Sequence, residues 1–204
     1  MDADAWDERY RSTDLVWSAG PNQFVEEELA DLPPGRAVDL AAGEGRNAIW
    51  LAARGWDVTA VDFSQAGLDK GRTIAGDTTV TWVCGDATTW REESSYDVCV
   101  IAYLQLRSAE RRAAVRNGYA SVRVGGTFLL VAHDTTNFTE GTGGPTDPAV
   151  LMTAEDVLTD LGGETFEVVR AGRVARQVGG PEHVHDADHT ATAWDCLVRV
   201  VRRA

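Results

Sequence analysis

Residues 38–64 read VDLAAGEGRNAIWLAARGWDVTAVDFS, and the order of residue types there decides the fold. An apolar run, Ala37 to Ala41, has the pattern of a buried central strand. A glycine turn at Gly43-Glu44-Gly45 follows. Apolar residues then recur at helical spacing over Arg46 to Arg54, until Gly55 stops them. Asp57 to Val61 reads as a second strand, closed by the acid Asp62. Strand, glycine turn, helix and strand form a βαβ unit. In such units the ligand sits at the helix start and the carboxyl ends of the strands.

Outward from this unit the alternation continues, which predicts stacked βαβ units on a largely parallel sheet with helices on both faces. An amphipathic segment, Gln23 to Leu32, precedes it and ends at PPG. Ser64 is placed to cap a second helix. Further strands are expected at Val80 to Cys84, in YDVCVIAYL (residues 96–104) and at Thr127 to Ala132, with a helix over Ala109 to Val122. A helix over Thr153 to Leu161 then leads to two strands, near Phe166 to Val174 and Ala191 to Val201. The short span between them predicts a hairpin with antiparallel pairing. The turn-rich run HDTTNFTEGTGGPTDP (residues 133–148) is long for a connection, which favours a functional loop. The expected organisation is one domain over residues 1–204, with 1–32 as a helical segment closing over it as a lid.

Composition narrows the partners. The chain has 204 residues, 19 basic against 32 acidic, and a formal net charge of -13. Nucleic-acid binding rests on phosphate neutralisation by Lys and Arg, so that balance argues against it. There is no basic, apolar leader at the start and no run of ~18 apolar residues, so neither export nor a membrane span is expected. Three cysteines, Cys84, Cys99 and Cys196, sit in strand-like runs, which fits a reducing cytoplasm. A monomer or homodimer is expected.

Which adenosine ligand the crevice takes depends on charge. Gly43-Glu44-Gly45-Arg46-Asn47-Ala48 satisfies the dinucleotide pattern G-x-G-x-x-A. Glu44 inside the turn and Asp39 on the strand leading into it would repel a pyrophosphate. The same acids suit S-adenosylmethionine, which carries a sulfonium and an ammonium and no phosphate. Asp62 stands where a carboxylate can accept the ribose hydroxyls, and Phe63 beside it offers an apolar face to adenine. Asp86, in CGDAT, is placed to accept from the adenine amino group.

The motifs VDLAAGEGRNAIWLA, VTAVDFS, VCGDA and YDVCVIAYLQL resemble those of the class I S-adenosylmethionine-dependent methyltransferases. Within these the chain is most similar to the small tellurite-resistance and thiopurine type, and WDERY and the Trp17 region resemble that group's N-terminal segment. The resemblance implies a Rossmann-like sheet of seven strands with an antiparallel last strand. It also implies donor contacts from Gly43 and Gly45 to the methionine part, Asp62 to the ribose and Asp86 to the adenine. The wider expected donor site adds Trp17, Asp39, Ala41, Asn47, Phe63, Ser64, Ala87 and Ala102. The chain departs from the family's commonest form in carrying Ala41-Ala42 where Gly-Cys is frequent.

Methyl transfer needs alignment of donor and acceptor, and a base only where the acceptor arrives protonated. His133 and Tyr103, at the ends of the fifth and fourth strands, are the expected catalytic residues, with Asp134 as the acidic neighbour of His133. Arg107, Asp134 and Asn137 are expected to touch the acceptor, and Trp6 and Tyr10 to close over it. The amino-group methylation motif Asp/Asn-Pro-Pro-aromatic is absent after the fourth strand, where the chain reads IAYL. A small-molecule acceptor is therefore expected. His183, His185 and His189 approach a zinc-binding pattern, but their place in a terminal hairpin loop favours a solvated turn and no metal. The alternatives are a non-catalytic module that only holds the cofactor and a nicotinamide-dependent reductase.

Overall fold

A computed structural model describes residues 3–12, 20–178 and 191–204. Its strands are β1 (Arg36–Leu40), β2 (Asp57–Asp62), β3 (Thr81–Cys84), β4 (Tyr96–Ala102), β5 (Val122–His133), β6 (Phe166–Val178) and β7 (Ala191–Arg202). They form one seven-stranded sheet in the order β3-β2-β1-β4-β5-β7-β6. The first five strands are parallel, and β7 lies antiparallel between β5 and β6. This is the expected Rossmann-like architecture.

The helices are α1 (Ala3–Ser12), α2 (Gln23–Leu29), α3 (Arg46–Ala53), α4 (Gln65–Ala75), α5 (Ser108–Ser121), α6 (Asn137–Glu140) and α7 (Ala154–Asp160). Two apolar layers hold them to the sheet. Phe24, Leu29 and Leu51 join one face with Val58, Val100 and Leu129; Val115, Tyr119 and Val157 join the other with Ile101, Phe128 and Val198. Val98 to Ile101 in β4 are all buried, as a central parallel strand requires. Each such aliphatic side chain contributes roughly 1.5–3 kcal/mol by leaving water.

Two boundaries differ from expectation for local reasons. β5 starts at Val122, ahead of the expected Thr127: Val122 pairs with Tyr96 and the register shifts before Val98. Gly125 takes φ 84° there, so glycine permits an irregularity inside the strand instead of ending it. At the edge β6 continues to Val178, because β7 pairs with it along its full length.

Chain order reverses between β1 and β4, opening a crevice at their carboxyl ends. Both strands end in a non-glycine residue of left-handed conformation, Ala41 at φ 64° and Tyr103 at φ 58°. Each costs about 1 kcal/mol or more, and such strain gathers at sites that need it.

Candidate active site

The donor side of the crevice is built from the glycine turn and the end of β2. Gly43 and Gly45 sit at φ 57° and 74°, which bends the chain sharply into α3. Space as well as torsion demands glycine at position 45, where a Cβ would stand 2.4 Å from the Trp82 ring. Asp62 fastens the turn: its Oδ2 accepts the Gly43 N–H and its Oδ1 the Ser64 N–H, both at 2.8 Å. Burial nevertheless raises its pKa, with the two N–H bonds working the other way.

Asp39 lies one strand over and is 1% exposed. Its Oδ2 accepts the Ala48 N–H at 3.1 Å, while its Oδ1 is buried with no hydrogen-bond partner. Burial pushes the carboxyl up to about 7, against the pull of the Ala48 N–H and Arg46. A buried orphan oxygen is costly and asks for a cation or a donor.

The role expected for Glu44 changes. Glu44 is 3% exposed and forms an ion pair of 2.7 Å with Lys70, so its charge is compensated. The charge argument in the crevice therefore rests on Asp39 and Asp62.

Several expected donor contacts are spent on the fold. Ser64 is wholly buried; its Oγ accepts the Gly67 N–H as the cap of α4 and donates to Asp7 at 2.5 Å. Asn47 accepts the Asn22 N–H and so pins the start of α2. Asp86 is exposed, and its Oδ1 accepts from the backbone and hydroxyl of Thr88, shaping the turn after β3. Ala87 beside it is buried, Phe63 is half-buried, and Ala102 adjoins Tyr103 at the crevice. Trp17 lies outside the described residues, as do His183, His185 and His189.

On the acceptor side the structure assembles a group that the sequence only half disclosed. A cavity of roughly 280 Å³ is lined by Asn22, Arg46, Tyr103, His133 and Arg176, among others. Behind Tyr103, His133 and Arg176 stands Asp195, fully buried. Tyr103 donates its hydroxyl to Asp195 Oδ2 at 2.7 Å, and Arg176 donates Nε to the same oxygen at 2.7 Å. His133 Nδ1 stands 3.2 Å from Asp195 Oδ1, close but out of line for a good hydrogen bond. Burial opposes the Asp195 charge, yet His133, Arg176 and Tyr103 together hold its pKa below the usual value. Burial and the Asp195 charge raise that of Tyr103, which keeps its proton. A chain of bonds runs from Asn47 through Asn22 to the Tyr103 hydroxyl, tying the donor turn to this cavity.

The expected partner of His133 is thus corrected. Asp134 bonds to Thr136, because successive residues of an extended chain face opposite sides. Asp195 is the residue directly across the β5–β7 register from His133. Asn137 is likewise committed to the fold: its Oδ1 accepts the Trp194 N–H and its Nδ2 donates to Gly143. Arg107 pairs at the surface with Asp147 at 2.8 Å. Trp6 and Tyr10 stack on α1 with ring centroids 5.5 Å apart, and Tyr10 is sealed over Gly67. That places them by α4, with Tyr10 also within electrostatic reach of Arg46 on the wall of the His133 cavity. Asp195 and Arg176 were missed. The available signal was a lone acid in an apolar strand, ATAWDCLVRVV, since a buried carboxylate there must find partners.

A seven-stranded sheet with β7 reversed and a carboxylate-lined crevice at the β1–β4 switch point define the class I S-adenosylmethionine-dependent methyltransferases. Residues 37–126 match a family described as a methyltransferase domain. It is 31% identical over 132 residues to a demethylmenaquinone methyltransferase of Clavibacter sepedonicus, covering 62% of this chain and 54% of that one. The chain thus spans little more than half the length of that relative. Among solved structures it is similar to the N-methyltransferase NodS from Bradyrhizobium japonicum WM9 in complex with S-adenosyl-l-homocysteine. That match has a TM-score of 0.72 and 16% identity, and covers 99% and 98% of the two chains. TehB from Haemophilus influenzae gives a TM-score of 0.69 at 17% identity, covering 98% of this chain and 67% of that one. No helix among the described residues is long and apolar enough to cross a membrane.

Proposed function

We propose that the chain catalyses S-adenosylmethionine-dependent methylation of a small molecule in the cytoplasm, acting as one domain whose first 32 residues close over the donor. The observation that carries this reading is the Asp39 oxygen, buried without a partner at the switch-point crevice. A sulfonium or ammonium satisfies it, whereas a diphosphate repels it. The sheet order supports the same choice, because dinucleotide folds continue with parallel strands where this sheet has the reversed β7.

Asp39 faces the cationic part of the donor, and Ala41, Gly43 and Gly45 give its backbone approach. Asp62 has lone pairs left for the ribose hydroxyls, and Phe63, Asp86 and Ala87 serve the adenine. When bound, the donor supplies a methyl carbon already activated for displacement. His133 receives the acceptor's proton at Nε2, since its Nδ1 edge is turned toward Asp195 Oδ1 at 3.2 Å. Tyr103 and Arg176 fix Asp195, and the cavity walls align the acceptor with the donor.

Calorimetry against S-adenosylmethionine, S-adenosylhomocysteine, NAD and NADP tests the donor assignment, with binding expected for the first two. Release of S-adenosylhomocysteine across a panel of acceptors tests turnover. His133→Gln is expected to lower kcat for proton-bearing acceptors by about 10²–10⁴-fold. It should leave affinity for S-adenosylhomocysteine unchanged. Binding of NAD in place of the donor would overturn the reading.

A further inference from the structure

Arg176 enters the acceptor cavity from β6, an edge strand that carries no part of the donor turn. Its guanidinium is fixed on two sides. Nε is bonded to buried Asp195 at 2.7 Å, and its carbon lies 5.6 Å from the centre of the Tyr103 ring. The Tyr103 hydroxyl also bonds to the guanidinium. Arg176 lines the cavity with 23% of its side chain exposed, so its remaining N–H donors face whatever enters. A planar guanidinium held by one edge and one face offers its other edge as a two-pronged reader of a carboxylate. Arg46, from the start of α3, lies 6.0 Å from the centre of the same ring and adds positive potential to the cavity it also lines. The His133 ring lies tilted against Tyr103 with centroids 4.9 Å apart, so the base and the guanidinium both adjoin that ring.

We propose that the methyl acceptor is a small carboxylic acid, bound through its carboxylate by the terminal amino groups of Arg176 while its nucleophilic atom lies toward His133. This rests on the methyltransferase reading above, since it assigns the acceptor half of the same site. Asp195 then has two tasks. It orients His133, and it fixes the guanidinium so that little side-chain freedom is lost when the acid docks.

The test is calorimetry on the full chain saturated with S-adenosylhomocysteine, so that the donor's own carboxylate is already seated. Benzoate and phenylacetate are compared with their uncharged amides, benzamide and phenylacetamide. At least one acid is expected to bind about tenfold or more tightly than its amide, as charge-assisted bidentate pairs are stronger than neutral ones. Arg176→Gln should abolish that preference, and Arg176→Lys, which keeps charge without the fork, should retain part of it. The S-adenosylhomocysteine affinity of both variants should match that of the wild type. Equal binding of acids and amides by the wild-type protein overturns the proposal without needing any variant to fold. So does a preference that survives Arg176→Gln. If S-adenosylhomocysteine itself fails to bind the wild type, the methyltransferase reading has failed instead, and this inference falls with it.

Discussion

Replacing Asp39 by Asn should separate what this residue costs the empty protein from what it gives the donor. Its folded pKa is about 7 against an ordinary 3.8, chiefly through burial. Below pH ~4 the carboxyl is protonated folded or unfolded and contributes nothing. Above that, the unfolded chain loses its proton first, so stability falls as pH rises, by about 1.4 kcal/mol per pH unit. The fall levels off above pH ~7, where the accumulated penalty is roughly 4 kcal/mol. Asn carries no such charge, but it puts an amide donor where Oδ1 had no partner, at a cost of about 1–3 kcal/mol. The substitution should therefore stabilise the ligand-free protein by about 1–3 kcal/mol at pH 8 and make it no more stable at pH 5.

Urea unfolding from pH 5 to 8 reads this directly as the difference in slope between the two proteins. A cationic donor should also pull the Asp39 proton off. Binding of S-adenosylmethionine at pH 7 should then release about half a proton in the wild type, seen as a dependence on buffer ionisation heat, and none in Asp39→Asn. The variant should bind the donor at least about tenfold more weakly, as expected when a buried opposite charge is removed. Parallel pH slopes for wild type and variant would refute the protonated, buried Asp39. Equal donor affinities would refute its role toward the cation.

Two further substitutions test the scaffold. Gly45→Ala should cost about 2–4 kcal/mol in urea unfolding, combining a left-handed residue with a clash against Trp82. Trp82→Leu in that background should recover the steric share alone, and a loss below about 1 kcal/mol would show that the turn gives way. Asp160, fully buried, takes Nε of Arg111 at 2.6 Å and of Arg112 at 3.0 Å, joining α7 to α5. Asp160→Asn should destabilise by roughly 3 kcal/mol, because the largely buried Arg111 keeps only the more distant Asp156, at 4.0 Å, as a counter-charge. Thermal unfolding with and without S-adenosylhomocysteine should show an equal ligand-induced shift in both proteins, since this cluster lies outside the site.

The fold was legible because its rules are local. A glycine turn between an apolar strand and a helix, repeated strand–helix alternation and a terminal hairpin each follow from a few neighbouring residues, and they sufficed for the seven-stranded sheet. The shape of the crevice at the β1–β4 switch point was legible for the same reason, since Asp39, Gly43, Gly45 and Asp62 belong to one βαβ unit. Its electrostatics were less so. Glu44 looked repulsive in sequence, but α4 brings Lys70 onto it, and a helix's partner cannot be read from the turn it covers. The acceptor side was the least legible, because it is made by strand register. His133 meets Asp195 only because β7 runs back between β5 and β6. Asp134, adjacent in sequence, is turned away by the pleat. Arg176 joins them through hairpin pairing beyond the expected end of β6. Residues fixed by backbone turns could thus be named from sequence, while those fixed by pairing between distant strands could not. On the proposed function, a donor site encoded in one contiguous unit, beside an acceptor site gathered from β4, β5, β6 and β7, would let the outer strands change their charged residues without disturbing the switch-point crevice.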